Sequence, residues 1–271
     1  MPDSQPVQTH ESMPFVCDCE ESHREACAGE GFYAQFGNNR YCILHYPAVK
    51  DNVLFNQAVE RKLFGEARDY KFQGVWFSEE LNARGQEFIS TANFSGARFN
   101  GKAIFQNATF SEPANFENAT FYAESIFSGV TFKTEATFES TRFHGEADFT
   151  SAIFNAEARF LSAIFSGEAN FKEATFNAIA SFVYSTFERR AEFMAAKFNG
   201  EAYFGLITFE DAAIFDSVTF GGWAGFDHTK FKSFVVFERA MFESVTDFGE
   251  TRFIGDAHFN YVRFKQNSSF R

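Results

Sequence analysis

The sequence predicts an all-β fold, a square β-solenoid with about 22 residues per coil and about nine coils, preceded by a small Cys/His module and one capping helix. Three observations carry this expectation. From Phe72 to Phe270 phenylalanine recurs in steps that alternate between five and six residues, with one miss at Ala83. Two positions before each of the 33 rungs from Phe94 onward stands a small or β-branched residue, alanine in 21 of them. Composition agrees: 42 of the 271 residues are Phe, whereas Leu161 and Leu206 are the only leucines beyond residue 90.

The spacing follows from strand geometry. In an extended segment residues i−2 and i point to the same side, so each short strand sends one small residue and one Phe inward and turns the residue between them outward. A corner of two or three residues then follows, and Gly101, Gly145, Gly167, Gly200 and Gly255 fall in the longer corners, where backbone freedom is expected to be useful. An 11-residue period also suits a right-handed supercoil of helices. That rival fails, because residues five apart on a helix lie roughly 140° from each other and the two Phe series would not share a face. Gly, Thr and Phe are also weak helix formers.

Segments such as Ala92-Asn93-Phe94, Ala114-Asn115-Phe116, Ala147-Asp148-Phe149 and Ala169-Asn170-Phe171 resemble the pentapeptide-repeat family, whose unit is a small residue, a polar one, Leu or Phe, and two more. The resemblance covers roughly residues 72–270 and implies a right-handed quadrilateral β-helix with four strands per coil. One residue inserted at every second corner lengthens the coil relative to a pure five-residue repeat. At a strand spacing of about 4.8 Å, nine coils make a rod roughly 43 Å long in which each Phe stacks on the Phe one coil away.

Taken in chain order, residues 1–14 are polar and proline-containing and are expected to form a disordered tail. Residues 15–50 hold Cys17, Cys19, Cys27, Cys42 and His45. Thiolates with an imidazole suit tetrahedral Zn(II), and Cys42-x-x-His45 is compact enough to place two ligands on one ion. A structural zinc with four ligands drawn from these five is expected, with Cys17 and Cys19 competing and His10 and His23 as weaker options. The likeness of this stretch to Cys/His segments that precede some pentapeptide-repeat arrays supports a structural metal. Gly29-Glu30-Gly31-Phe32-Tyr33-Ala34 fits a loose dinucleotide pattern but lacks the strand-turn-helix context that would give it meaning.

Residues 51–71 are expected to form a helix and linker. Asp51 can cap a helix from about Asn52 to Phe64, with Phe55, Ala58, Val59 and Leu63 on one face. Such a helix is placed to cover the open end of the solenoid, which an array with exposed strand edges needs. The solenoid itself takes residues 72–271.

The exterior carries few chemical signals. Glu124, Glu146 and Glu168 stack on one corner column and Glu135 and Glu157 on the opposite one; they are solvated decoration, or an acidic surface for a basic partner or divalent cation. In the C-terminal half the same two columns turn apolar at Trp223, Phe234 and Val245, which either form a contact surface or fold over neighbouring loops. His144, His228 and His258 fall outside the inward slots and are expected at the surface.

A formal charge of −12 argues against direct nucleic-acid binding. No run is apolar enough to span a membrane, and the N-terminus lacks the pattern of a signal peptide, so the expected compartment is the cytoplasm. In that compartment clustered cysteines suggest metal ligands or thiols over disulfides. The expected function is a non-catalytic protein-interaction or scaffold module with an unidentified protein partner, and a homodimer through the C-terminal coils, about residues 223–271, is a further possibility. The family resemblance implies a second reading, a DNA mimic that inhibits a type II topoisomerase such as gyrase. A carboxylate-dependent enzyme is the remote third.

Overall fold

The computed structural model describes residues 15–66 and 68–270. The expected disordered tail, with His10, lies outside the described residues. From residue 76 onward the backbone is built of two-residue strands assembled into four parallel sheets of nine strands each. Face one runs from Ala92–Asn93 to Ser268–Ser269, face two from Trp76–Phe77 to Arg252–Phe253, face three from Leu81–Asn82 to Ala257–His258, and face four from Glu87–Phe88 to Arg263–Phe264. The register is the 22-residue coil of the sequence: Ala114 pairs with Ala136, and Phe121 with Phe143.

Inside, the phenylalanines form parallel stacks. Phe116 and Phe138 lie 4.9 Å apart at 0°, Phe138 and Phe160 4.9 Å apart at 2°, and Phe160 and Phe182 4.8 Å apart at 3°. Stacks on different faces meet edge to face, as Phe116 does with Phe127 at 5.4 Å and 90°. Both arrangements suit the ring quadrupole, and each buried ring contributes on the order of 1.5–3 kcal/mol. Alanine is the usual partner because the rings leave little further space. Where threonine takes its slot the hydroxyl must find an acceptor, and buried Thr141 donates to the Phe116 carbonyl at 2.7 Å.

The two kinds of corner solve different problems. The short corners are hydrogen-bonded turns with one left-handed residue, as in Phe94–Ala97, where Gly96 has φ 64° and the Ala97 amide donates to the Phe94 carbonyl at 3.0 Å. Leu206 takes the same conformation at φ 59° and Tyr184 at 61°. The longer corners need no left-handed residue, which corrects the expectation that their glycines supply backbone freedom. Gly145 and Gly167 instead sit where a Cβ would run into the backbone of the coil beneath, at Ala123 and Gly145 respectively. Close approach of successive coils is what selects glycine there.

The expected helix is present as α1, Asn52–Phe64, with the Asp51 carboxylate accepting from the amides of Val53 and Leu54 at 2.9 and 3.0 Å. Its buried side is Phe55, Ala58, Val59, Lys62 and Leu63. Phe55 meets Phe77 of the first coil edge to face at 5.8 Å, so the helix covers the end of the Phe stacks. At the other end Phe264 and Phe270 are 38% and 57% exposed. No helix among the described residues is long and apolar enough to cross a membrane.

Candidate metal centre

Four short pieces of residues 15–46 deliver side chains to one point. A 3-10 helix, Glu21–Cys27, brings Cys27 at its last position. Strands β1 (Ala34–Phe36) and β2 (Asn39–Tyr41) form an antiparallel hairpin whose exit is Cys42. The Tyr46 amide closes a turn onto the Cys42 carbonyl at 3.1 Å, which folds Cys42-x-x-His45 back on itself. The segment holding Cys17 is fixed to β2 by two bonds: the Asp18 amide donates to the Arg40 carbonyl at 2.8 Å, and the Arg40 amide to the Asp18 carboxylate at 2.6 Å.

The result is a quartet. One ligand atom each from Cys17, Cys27, Cys42 and His45 lies within 4.8 Å of all the others. His45 Nδ1 is 3.1 Å from Cys27 Sγ and 3.4 Å from Cys42 Sγ, and the two sulfurs are 3.6 Å apart. A tetrahedron with metal–sulfur bonds of about 2.3 Å has edges of roughly 3.7 Å, so the cluster has the dimensions of a Cys₃His site. The surroundings fit as well. His45 Nε2 donates to the Gln73 carbonyl at 2.8 Å, leaving Nδ1 as the lone-pair atom facing the sulfurs, and the Cys42 amide donates to Cys17 Sγ at 3.3 Å. Cys17, Cys42 and His45 are buried.

Cys19 stands beside the quartet, with its sulfur 3.6 Å from that of Cys27. His23 stands outside it too, stacked parallel to His45 with centroids 6.3 Å apart. Its ring fills the hollow over Gly74, where a Cβ would collide with it, and approaches to within 3.0 Å of a Cβ placed on Gly96. These left-handed glycines, one coil apart, therefore also seat the module on the rod.

Protonation is divided unevenly among the thiols. Hydrogen bonds from Cys19, Cys27 and Cys42 hold the Cys17 thiol far below the ordinary range. The bond to Cys17 pushes Cys19 up to about 12, and bonds to Cys17, Cys19 and Cys42 drive Cys27 upward. For His45, burial works against the charged form, but the bonds to Cys17 and Cys42 outweigh it and the imidazole is pushed up to about 9.

Sequence reasoning did not identify Gln73, Gly74 and Gly96 as contributors, nor Lys50. The Lys50 ammonium is buried, donates to the carbonyls of Leu44 and Trp76 at 2.7 and 2.6 Å, and lies 4.4 Å over the Phe55 ring. It thus touches the module, the first coil and α1 at once. Burial pushes its pKa down to about 7.

The remaining sequence candidates are spread over the rod. Glu124 pairs with Lys102 at 2.6 Å, and Arg159 bridges Glu135 at 2.6 Å and Glu157 at 2.8 Å. One positive charge thus bridges the two carboxylates of the Glu135/Glu157 column, while Glu146 has its carboxyl pushed up by burial and by Glu124, Asp148 and Glu168. Trp223 is not an exposed side chain: it is half-buried, lies over Gly225 and packs against Tyr203 at 4.9 Å. Phe234 and Val245 are 42% and 46% exposed. Phe234 precedes a face-three strand, whereas Trp223 and Val245 precede face-one strands. The three do not form one continuous patch.

Residues 94–142, 118–164 and 160–207 match the family described as Pentapeptide repeats (9 copies). No curated protein and no solved structure matches the chain. The same 22-residue register continues through the strands on both sides of the matched residues, and the chain belongs to the pentapeptide-repeat family.

Proposed function

We propose that the protein is a non-catalytic interaction or scaffold module whose rod presents its faces to a protein partner, with a structural Zn(II) holding the N-terminal module on the first coil. Pentapeptide-repeat solenoids are typically non-catalytic, which supports this reading. The observation that carries the reading is the filled interior: from Phe88 to Phe242 every ladder Phe is buried, which leaves outward side chains as the means of recognition. The test is affinity capture from the native host with the immobilised chain. A partner retained reproducibly and competed by free rod supports the reading, and no retained protein counts against it.

For the metal, Cys17, Cys27, Cys42 and His45 supply three sulfurs and one nitrogen and no open position, the donor set of a structural zinc rather than a catalytic one. A cytoplasmic location suits four free cysteines. We also propose self-association through the C-terminal coils, about residues 223–271, where the Phe264 and Phe270 rings are exposed. Sedimentation at micromolar concentration tests it, and a clean monomer removes it.

Mimicry of DNA is the weaker reading. It requires a continuous face of negative charge, and Lys102 and Arg159 interrupt both corner columns. Stoichiometric inhibition in a gyrase supercoiling assay would reverse this preference.

A further inference from the structure

Several acidic side chains of the rod are paired with cations on adjacent coils. Lys232 reaches Glu210 at 2.8 Å, Lys265 reaches Glu243 at 2.7 Å, Lys102 reaches Glu124, and Arg239 reaches Asp216. Face one of the later coils departs from this pattern. Its strands and flanking corners, residues 178–184, 200–206, 222–228 and 244–250, contain Glu201, Asp227, Asp247 and Glu250 but no lysine or arginine. Among the described residues none of these four carboxylates has a Lys or Arg nitrogen within 4.0 Å; His228 is the cationic neighbour, at 3.6 Å from Asp227 and 3.2 Å from Glu250.

An aromatic platform sits at the centre of this region. The Trp223 ring lies so close over Gly225 that a Cβ there would collide with it. Gly225 is flanked in register by Tyr203 on one coil and Asp247 on the next. Tyr203 packs against the indole and donates to Glu201, while the Asp247 carboxylate accepts from the Gly249 amide at 2.8 Å. Tyr184 on the preceding coil is 60% exposed. Aromatic rings bordered by unmatched carboxylates are the surroundings that a desolvated ammonium or guanidinium favours, through cation–π attraction and charge-assisted hydrogen bonds together.

We propose that face one around Tyr203, Trp223 and Asp247 docks a lysine or arginine side chain from a basic segment of a partner protein. The inference rests on the interaction-module reading and names the partner's chemistry. The four segments contain no lysine or arginine, so a partner would supply the charge that complements them. The regular coil spacing of about 4.8 Å would let an extended basic segment run along the sheet and set successive cationic groups against Glu201, Asp247 and their neighbours.

The test is a titration with octalysine in a Trp76→Phe background, where Trp223 is the sole tryptophan, read by its fluorescence. The expected result is a saturable change whose apparent affinity falls at least tenfold with Glu201→Gln plus Asp247→Asn. The change should fall less than twofold with Glu146→Gln plus Glu168→Gln, which removes equal charge from another part of the rod. Trp223→Phe, with binding followed by calorimetry, should retain more affinity than Trp223→Ser, with thermal melts checking that each variant is folded. No saturable binding, or equal weakening by the two charge pairs, would overturn the site. If the host partner is still captured by the Glu201→Gln plus Asp247→Asn rod as well as by wild type, this site fails while the interaction reading stands.

Discussion

His45 donates from Nε2 to the backbone carbonyl of Gln73 at 2.8 Å, so a residue of the Cys/His quartet is anchored by the first coil of the rod. The bond orients Nδ1 toward the three sulfurs and couples ligand geometry to solenoid geometry. Removing a metal from the quartet should therefore loosen the attachment of the module as well as its interior.

Chelation should lower the melting temperature, and re-addition of one equivalent of Zn(II) should restore it. Because Cys27 is pushed up and His45 is raised to about 9, the metal-free quartet holds protons at neutral pH that a metal must displace. Binding should release protons, and affinity should rise with pH. A pH-indicator titration measures the release; zinc uptake with no proton release between pH 6 and 7 would contradict the assignment.

Phe160→Ala should cost about 3–5 kcal/mol, since the ring is fully buried between Phe138 and Phe182. Phe264→Ala should cost less than half as much, because that ring is 38% exposed. Denaturant melts of the two variants check the ratio. Equal costs would mean that the last coil is covered by something beyond the described contacts.

Leu206→Gly should stabilise the rod by about 0.5–1 kcal/mol. At φ 59° leucine bears the left-handed penalty of about 1–2 kcal/mol, which exceeds glycine's entropic disadvantage. Gly96→Ala should do the opposite, as it adds a Cβ at φ 64° within 3.0 Å of the His23 ring. Chemical denaturation of both variants settles the sign.

Glu146→Gln should raise stability by roughly a few tenths of a kcal/mol at neutral pH, a small amount because the side chain is solvent-screened. The folded-state pKa of Glu146 lies above its unfolded value, so the ionised form is disfavoured in the rod. The penalty is absent in acid, where both states are protonated, and grows as pH rises through the carboxylate range. The gain from the substitution should vanish below that range and shrink in high salt; a gain that persists at acid pH would exclude a charge origin.

The coil was legible because a two-residue strand repeats its inward chemistry at fixed spacing, and the Phe ladder reports that spacing directly. The helix was legible from Asp51 and the apolar set Phe55, Ala58, Val59 and Leu63 for the same reason. The metal candidates were readable as residue types, but choosing Cys17 over Cys19 depends on how the Asp18–Arg40 bonds turn one segment, which spacing does not encode. Gln73 contributes a backbone carbonyl, so its side chain carries no signal of that role. For Trp223 the sequence left a contact surface and packing over its neighbours both open, because the space over Gly225 becomes visible only when coils are stacked. The 22-residue interval between Gly74 and Gly96 was a usable sign that something lies over that corner.

The most direct test of the account is the metal content of the wild-type chain and of the Cys17→Ser and Cys19→Ser variants, purified without chelator and analysed by elemental mass spectrometry. A Cys17, Cys27, Cys42 and His45 centre predicts about one zinc per chain in wild type and in Cys19→Ser, with a large loss in Cys17→Ser. Metal-free wild type, or loss in Cys19→Ser with retention in Cys17→Ser, would contradict it.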